Sequence, residues 1–240
     1  MIPIRTTAPS GNLPIMTVTL IALNVIAFFC ELGLPERQLT VFINEFGVIP
    51  RIVVYGFANF PLRTDIWLGP LFTAMFLHGG WAHLIGNMLY LWVFGGAVEA
   101  AFGHARFLGF YLASGVLAFV AQIAAGPMVD LPTIGASGAV AAVLGAHLML
   151  FRGARVTVLF PIFIFPIFFE IWSVLFLGIW FLQQLFSGAV GALSPEAASA
   201  GIAWWAHAGG FIVGALFARS WCARLLPSRD RHWTSIAHGE

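Results

Sequence analysis

Residues 134–151 read Ile134-Gly135-Ala136-Ser137-Gly138-Ala139-Val140-Ala141-Ala142-Val143-Leu144-Gly145-Ala146-His147-Leu148-Met149-Leu150-Phe151. The run is apolar and close to the roughly 20 residues that cross the hydrocarbon of a bilayer, so it predicts a short membrane-spanning helix. A serine flanked by glycines stands at its head. Polar side chains at membrane depth are costly and tend to mark function. The fold follows from the apolar run, and the question of chemistry follows from its first residues.

The rest of the chain has the same character. Of 240 residues, 60% are hydrophobic and 9% are charged, and the mean hydropathy is +0.93. So few charges cannot cover the surface of a soluble domain. Six spans are expected, near 15–33, 80–101, 105–126, 134–151, 156–186 and 203–222. The predicted class is an all-α membrane protein, a six-transmembrane-helix bundle with a membrane-associated outer loop between helices 1 and 2. Residues 1–14 read as an N-terminal segment, 15–222 as the core and 223–240 as a C-terminal tail. The first apolar run is as long as a span and lacks a preceding basic region with a cleavage site, so it reads as a retained helix. The fifth run is overlong and carries Pro161 and Pro166, which predicts a kink or tilt.

Arginine placement predicts orientation. Arg106, Arg152 and Arg155 lie in two connections, and Arg219, Arg224, Arg229 and Arg231 follow span six, whereas the loops around Asp130 and Glu196 carry no basic residue. The positive-inside rule then puts both termini in the cytoplasm and Ser137 in the outer half of the membrane. A net charge of +1 gives no reason to expect nucleic acid. Cys30 and Cys222 fall on opposite membrane faces in this topology, so no disulfide within the chain is expected.

The segment 34–79 interleaves Phe42, Phe46, Tyr55, Phe57, Phe60 and Trp67 with Glu36, Arg37, Glu45, Arg51, Arg63 and Asp65. That mixture suits the lipid–water interface. The expectation is a structure partly embedded in the outer leaflet; an ordinary outer loop is the alternative.

Three spans carry polar residues that form a possible constellation. Ser137 sits among the unpartnered N–H groups of a helix start, with Gly135 and Gly138 allowing close approach. It reads either as a nucleophile or as a helix cap. In span six, His207, Gly210 and Gly214 share one face, the glycines admitting a neighbouring backbone and the histidine pointing at it. The small stripe Gly138, Ala141, Ala142 and Gly145 on span four is the natural partner. A buried structural histidine is the other reading. His83 and Asn87 share a face of span two and offer donors for an oxyanion; Asn87 bonding a neighbouring helix is the alternative. His78 and His83 are five apart with no intervening glutamate, which disfavours a zinc hydrolase. No metal and no cofactor is expected. Glu170, placed near mid-membrane in span five, reads as a protonated or bonded acid, or as the proton relay of a small transporter. Asn24, Gln122, Gln183 and Gln184 read as interhelical or interfacial hydrogen-bonders. His104 and His147, nearer the inner face, are assigned no chemistry.

These strings together resemble the rhomboid family of intramembrane serine proteases. The resemblance runs through Thr73–Met88, which contains His78-Gly79-Gly80-Trp81-Ala82-His83 and Asn87, through Gly95-Gly96-Ala97-Val98-Glu99, Gly135-Ala136-Ser137-Gly138 and Gly178-Ile179-Trp180-Phe181, and through Ala206-His207-Ala208-Gly209-Gly210 with Gly214. It implies a six-helix, bacterial-type core with Ser137 as nucleophile and His207 as base. It also implies that His83 and Asn87 help bind the oxyanion with the Ser137 N–H. The implied substrates are single-span transmembrane proteins cut near the outer face. The compact six-span build, with no organelle-targeting segment apparent, leads us to expect a prokaryotic plasma membrane. By the same resemblance the fifth helix, around Trp180, admits substrate. The chain departs from the family where Trp67 is followed by Leu68, since the family often carries Trp-Arg there. A rhomboid-like protein that binds membrane clients without cutting them is the competing reading.

Overall fold

The computed structural model describes residues 1–10, 13–162, 165–193 and 203–237, with side chains described as far as Cys222. The loop around Glu196 lies outside the described residues. Helices form at each place where an apolar run was read as a span. They are α1 (Ile15–Leu32), α6 (Trp81–Phe102), α7 (His104–Ala125), α8 (Ser137–Leu150), α9 (Ser173–Leu193) and α10 (Trp204–Ala237). Between α1 and α6 lie α2 (Glu36–Phe46), α3 (Pro50–Asn59), α4 (Thr64–Trp67) and α5 (Gly69–Thr73), followed by a 3-10 turn over Ala74–Phe76. Among the described residues, four helices, α1, α6, α7 and α9, are long and apolar enough to cross a membrane, and α8 is a shorter apolar helix of 14 residues. The protein is a helical integral membrane bundle, as the composition requires.

The fifth run departs from expectation. Its first part is not helix but a hairpin of β2 (Arg155–Ile162) and β3 (Phe165–Trp172), and α9 begins only at Ser173. Pro161 and Pro166 face one another across it. Proline lacks the N–H a helix needs, and β-branched and aromatic residues fit a strand, whereas an unbroken apolar run has no period to separate the two states. β1 (Ile2–Thr6), from the segment expected to precede the core, pairs antiparallel with β2 to complete a sheet of order β1-β2-β3. This corrects the placement of Glu170. It lies on β3, with its side chain 41% exposed, facing Arg155 at 3.7 Å, and not in the bundle interior.

α8 is the central helix. Every residue from Gly138 to His147 is buried, and α10 packs along it more extensively than any other pair of helices meets. The contact depends on absent side chains. A Cβ at Gly210 would collide with the Gly138 carbonyl, one at Gly214 with the Ala142 backbone, and one at Gly145 with the Phe211 carbonyl. Association in a bilayer relies on such close packing because lipid is as apolar as the helices. At the other end of the bundle, Glu99 of α6 accepts hydrogen bonds from the Met16 and Thr17 N–H groups at 2.8 Å and from the Thr17 hydroxyl at 2.7 Å. A carboxylate there satisfies orphan donors at the start of α1. His147, buried on α8, bridges the Thr6 and Ser173 hydroxyls, each at 3.2 Å, and so joins β1 to the start of α9.

The α2–α5 segment holds the loop ahead of α8. Val48 and Thr133 exchange backbone hydrogen bonds of 3.0 and 2.8 Å, the Gly135 N–H donates to the Ala74 carbonyl at 2.8 Å, and Arg51 pairs with Asp130. Thr73 donates its hydroxyl to the Phe46 carbonyl at 2.6 Å. Ser137 is thereby presented on a loop tied from above and a helix packed from all sides.

Candidate active site

Ser137 is the first residue of α8, and the hydrogen-bond partner of its hydroxyl lies on another helix. It lies 2.8 Å from Nε2 of His207 on α10. The close α8–α10 crossing at Gly210 and Gly214 sets that distance: larger residues there would drive the two helices, and the pair, apart. A short helix also sets the depth. Fourteen residues rise about 21 Å, against roughly 30 Å of hydrocarbon. A helix level with one face of the membrane therefore begins beneath the other.

The His207 ring sits between Trp180 of α9 and Trp204, each with its ring centroid 6.1 Å away. Its Nδ1 is 2.8 Å from the Gln184 side-chain oxygen. Ser137 and His207 line a cavity of about 550 Å³ together with His83, Asn87, Tyr90, Trp180 and Gln184. The sequence-selected residues Ser137, His207, His83 and Asn87 are thus brought to one cavity from α8, α10 and α6.

The polar wall on α6 is itself supported. Gly135 has φ +120°, a conformation that favours glycine, and it packs directly beneath the His83 ring, where a Cβ would stand 2.6 Å from Nε2. The Gly79 N–H approaches His83 Nδ1 at 3.4 Å, which assigns the ring proton to Nε2, the nitrogen over Gly135. Asn87 donates one amide N–H to His78 Nε2 at 3.1 Å, and its amide carries a second. His78 Nδ1 donates in turn to the Phe76 carbonyl at 3.3 Å, while its backbone N–H donates to Glu31 of α1 at 3.2 Å. Burial, with a smaller contribution from neighbouring His83, holds the His78 imidazole down to about 4. A neutral ring is what can accept from Asn87.

Gly138, expected to support the site, faces Ala118 and Ala206, and Gly210 and Gly214 seat the α8 backbone as described. Three participants escaped sequence reasoning. Gln184 reads in the sequence as one of several interhelical hydrogen-bonders, Glu31 carries no signal there, and His78 reads only as a flank of the His83 motif and as half of a disfavoured zinc pair. Only the spacing of Trp180 and Gln184, four apart on one face of α9, could have hinted at a second lining helix.

An apolar helical bundle with a serine and a histidine paired in a cavity beneath one end defines an integral membrane protein that gathers polar groups inside its bundle. Comparison with known proteins gives the family: the Rhomboid domain matches residues 64–224, and the chain belongs to the rhomboid family. It is 46% identical over 78 residues to Rhomboid protease GluP of Bacillus subtilis (strain 168), covering 32% of this chain and 15% of that protein. It is 37% identical over 107 residues to the Putative rhomboid protease YdcA of the same organism, covering 44% of this chain and 52% of that one. The human Presenilin-associated rhomboid-like protein, mitochondrial, is 30% identical over 155 residues, 62% of this chain and 37% of that protein. The matched regions span about half or less of these curated relatives. At the level of the family, relatives named as proteases support protease activity.

Proposed function

We propose that this protein is an intramembrane serine endopeptidase that cleaves single-span transmembrane proteins near the outer face of a prokaryotic plasma membrane, with both termini cytoplasmic. The observation that carries the reading is the 2.8 Å separation of Ser137 Oγ and His207 Nε2, within reach for proton transfer from nucleophile to base.

In this mechanism Nε2 takes the Ser137 proton as Oγ attacks the scissile carbonyl carbon. The carbonyl oxygen becomes an oxyanion facing the Ser137 N–H, the His83 Nε2–H and the Asn87 amide, donors aimed where charge develops. The imidazolium then protonates the leaving amine, whose C–N bond breaks to give an acyl-enzyme. A water molecule, deprotonated by Nε2, attacks the ester carbon and releases the second product with the proton returned to Oγ. The substrate must leave its helical conformation to present a carbonyl to Oγ, since backbone groups in a helix are bonded to one another. The position of Glu170 on an exposed strand takes away the acid on which, with the buried histidines, a transporter reading relied.

Ser137→Ala and His207→Ala are each expected to abolish cleavage of a single-span reporter substrate in proteoliposomes, with the protein still monodisperse in detergent. Fluorophosphonate labelling should disappear in Ser137→Ala. Cleavage at the wild-type rate by either variant would refute the assignment of the pair, whereas no cleavage by the unaltered protein would leave the client-binding reading in its place.

A further inference from the structure

We infer that Gln184 is a positioning residue for the base: it holds His207 in the one tautomer that can accept the Ser137 proton. The inference rests on the Ser137–His207 reading above and adds a third member to it.

A neutral imidazole carries its proton on one nitrogen, and an amide can present either oxygen or nitrogen to it. Chance contact would leave both choices open. Here both are determined by a group that can only accept. The Gln184 Nε2 donates to the Trp180 backbone carbonyl at 3.3 Å, which turns Oε1 toward His207. Oε1 lies 2.8 Å from Nδ1, so Nδ1 must carry the ring proton. Nε2 is left with its lone pair facing the Ser137 hydroxyl at 2.8 Å. The polarity therefore runs in one direction, from the hydroxyl through the imidazole and the amide to a fixed carbonyl. Reversing the amide would place its NH2 against Nδ1, protonate Nε2 and disable the base. Gln184 is 5% exposed, so water does not compete for Nδ1 through it.

A group that fixes the tautomer and orientation of a base acts on the chemical step and not on substrate affinity. Gln184→Leu is expected to lower kcat for the reporter substrate by about 10- to 100-fold with KM unchanged. It should slow fluorophosphonate labelling of Ser137 by the same factor, because labelling needs an activated serine but no bound helix. Gln184→Glu, which keeps an acceptor oxygen at the same reach, should restore most of the kcat lost in Gln184→Leu. Should Gln184→Leu not fold, Gln184→Met, unbranched and also lacking the acceptor, replaces it. A wild-type kcat and labelling rate in Gln184→Leu or Gln184→Met would overturn the inference. So would a loss in Gln184→Glu as deep as that in Gln184→Leu, or a loss confined to KM. Ser137→Ala run in parallel separates the two readings: cleavage there sinks the dyad itself, whereas its absence beside an unaffected Gln184→Leu sinks only the third member.

Discussion

Each polar side chain of the candidate site answers to another, and the order of dependence can be read residue by residue. Asn87 is held by His78, and the His78 backbone by Glu31. Removing the Asn87 amide takes a donor from the proposed oxyanion wall and leaves the His78 Nε2 without its partner. Asn87→Ala is therefore expected to lower kcat by about 10²–10³-fold, the usual cost of one lost oxyanion donor. Steady-state cleavage of the reporter substrate measures this, and His83→Ala should behave alike. Unchanged turnover in both would take these residues out of the oxyanion role. The residues that sequence reasoning could find were those polar groups standing alone in apolar runs with small neighbours: Ser137, His207, His83 and Asn87. Gln184 was harder to read because Gln183 stands beside it and nothing in a one-dimensional pattern says which of the two faces α10. Glu31 was hidden for a related reason. At the end of an apolar run an acid looks like a boundary charge, yet it is 2% exposed and accepts from the His78 backbone.

At the scale of elements, the α8–α10 crossing sets the distance between Ser137 and His207. Gly214 is the tightest point, since an added Cβ would lie inside the Ala142 backbone, which has no rotamer to yield. Gly214→Ala should destabilise the fold by about 1–3 kcal/mol, the cost of overpacking a filled interface, and should lower activity by widening the Ser137–His207 gap. Gly109→Ala on α7, where an added Cβ meets nothing within 4 Å, is the matched control. Thermal melts in detergent, read with cleavage rates, compare the two; equal behaviour would dissolve the argument that the crossing sets the site. This glycine face was legible as a four-residue spacing. The β2–β3 hairpin was not. Length and apolarity predict burial in lipid but not backbone conformation, and 156–172 satisfies both as a strand pair. Its Pro161 and Pro166 carried the signal, and were read as kinks in a helix when they mark strand positions opposite one another.

The whole molecule is polarised along its axis, and that polarity decides which side of the membrane sees the site. One end carries α2–α5, the loop before α8 and the cavity; the other carries the sheet and the Glu99 cap of α1. Sheet edges cannot lie in hydrocarbon, because their N–H and C=O groups would go unpaired. β1 and β3 are both edge strands, so the sheet must sit outside the hydrocarbon, at the end opposite Ser137. Arg5, Arg106, Arg152 and Arg155 gather toward the same end, which the positive-inside rule assigns to the cytoplasm. In the proposed orientation the cavity end is external, and the exposed Tyr55, Phe57 and Phe60 of the α2–α5 segment would meet the outer leaflet, with Leu62 on its aqueous side. The test places a single cysteine at each end of a chain carrying Cys30→Ala and Cys222→Ala. Leu62→Cys, at a residue 95% exposed, should react with a membrane-impermeant maleimide in intact bacterial cells. Arg152→Cys, at the turn between α8 and β2, should react only after the cells are permeabilised. The reverse pattern would invert the molecule, open Ser137 to the cytoplasm and require substrates cut at their inner ends. Labelling of Arg152→Cys from neither side would instead mean that the sheet lies within the bilayer, against the hydrogen-bonding argument that put it outside.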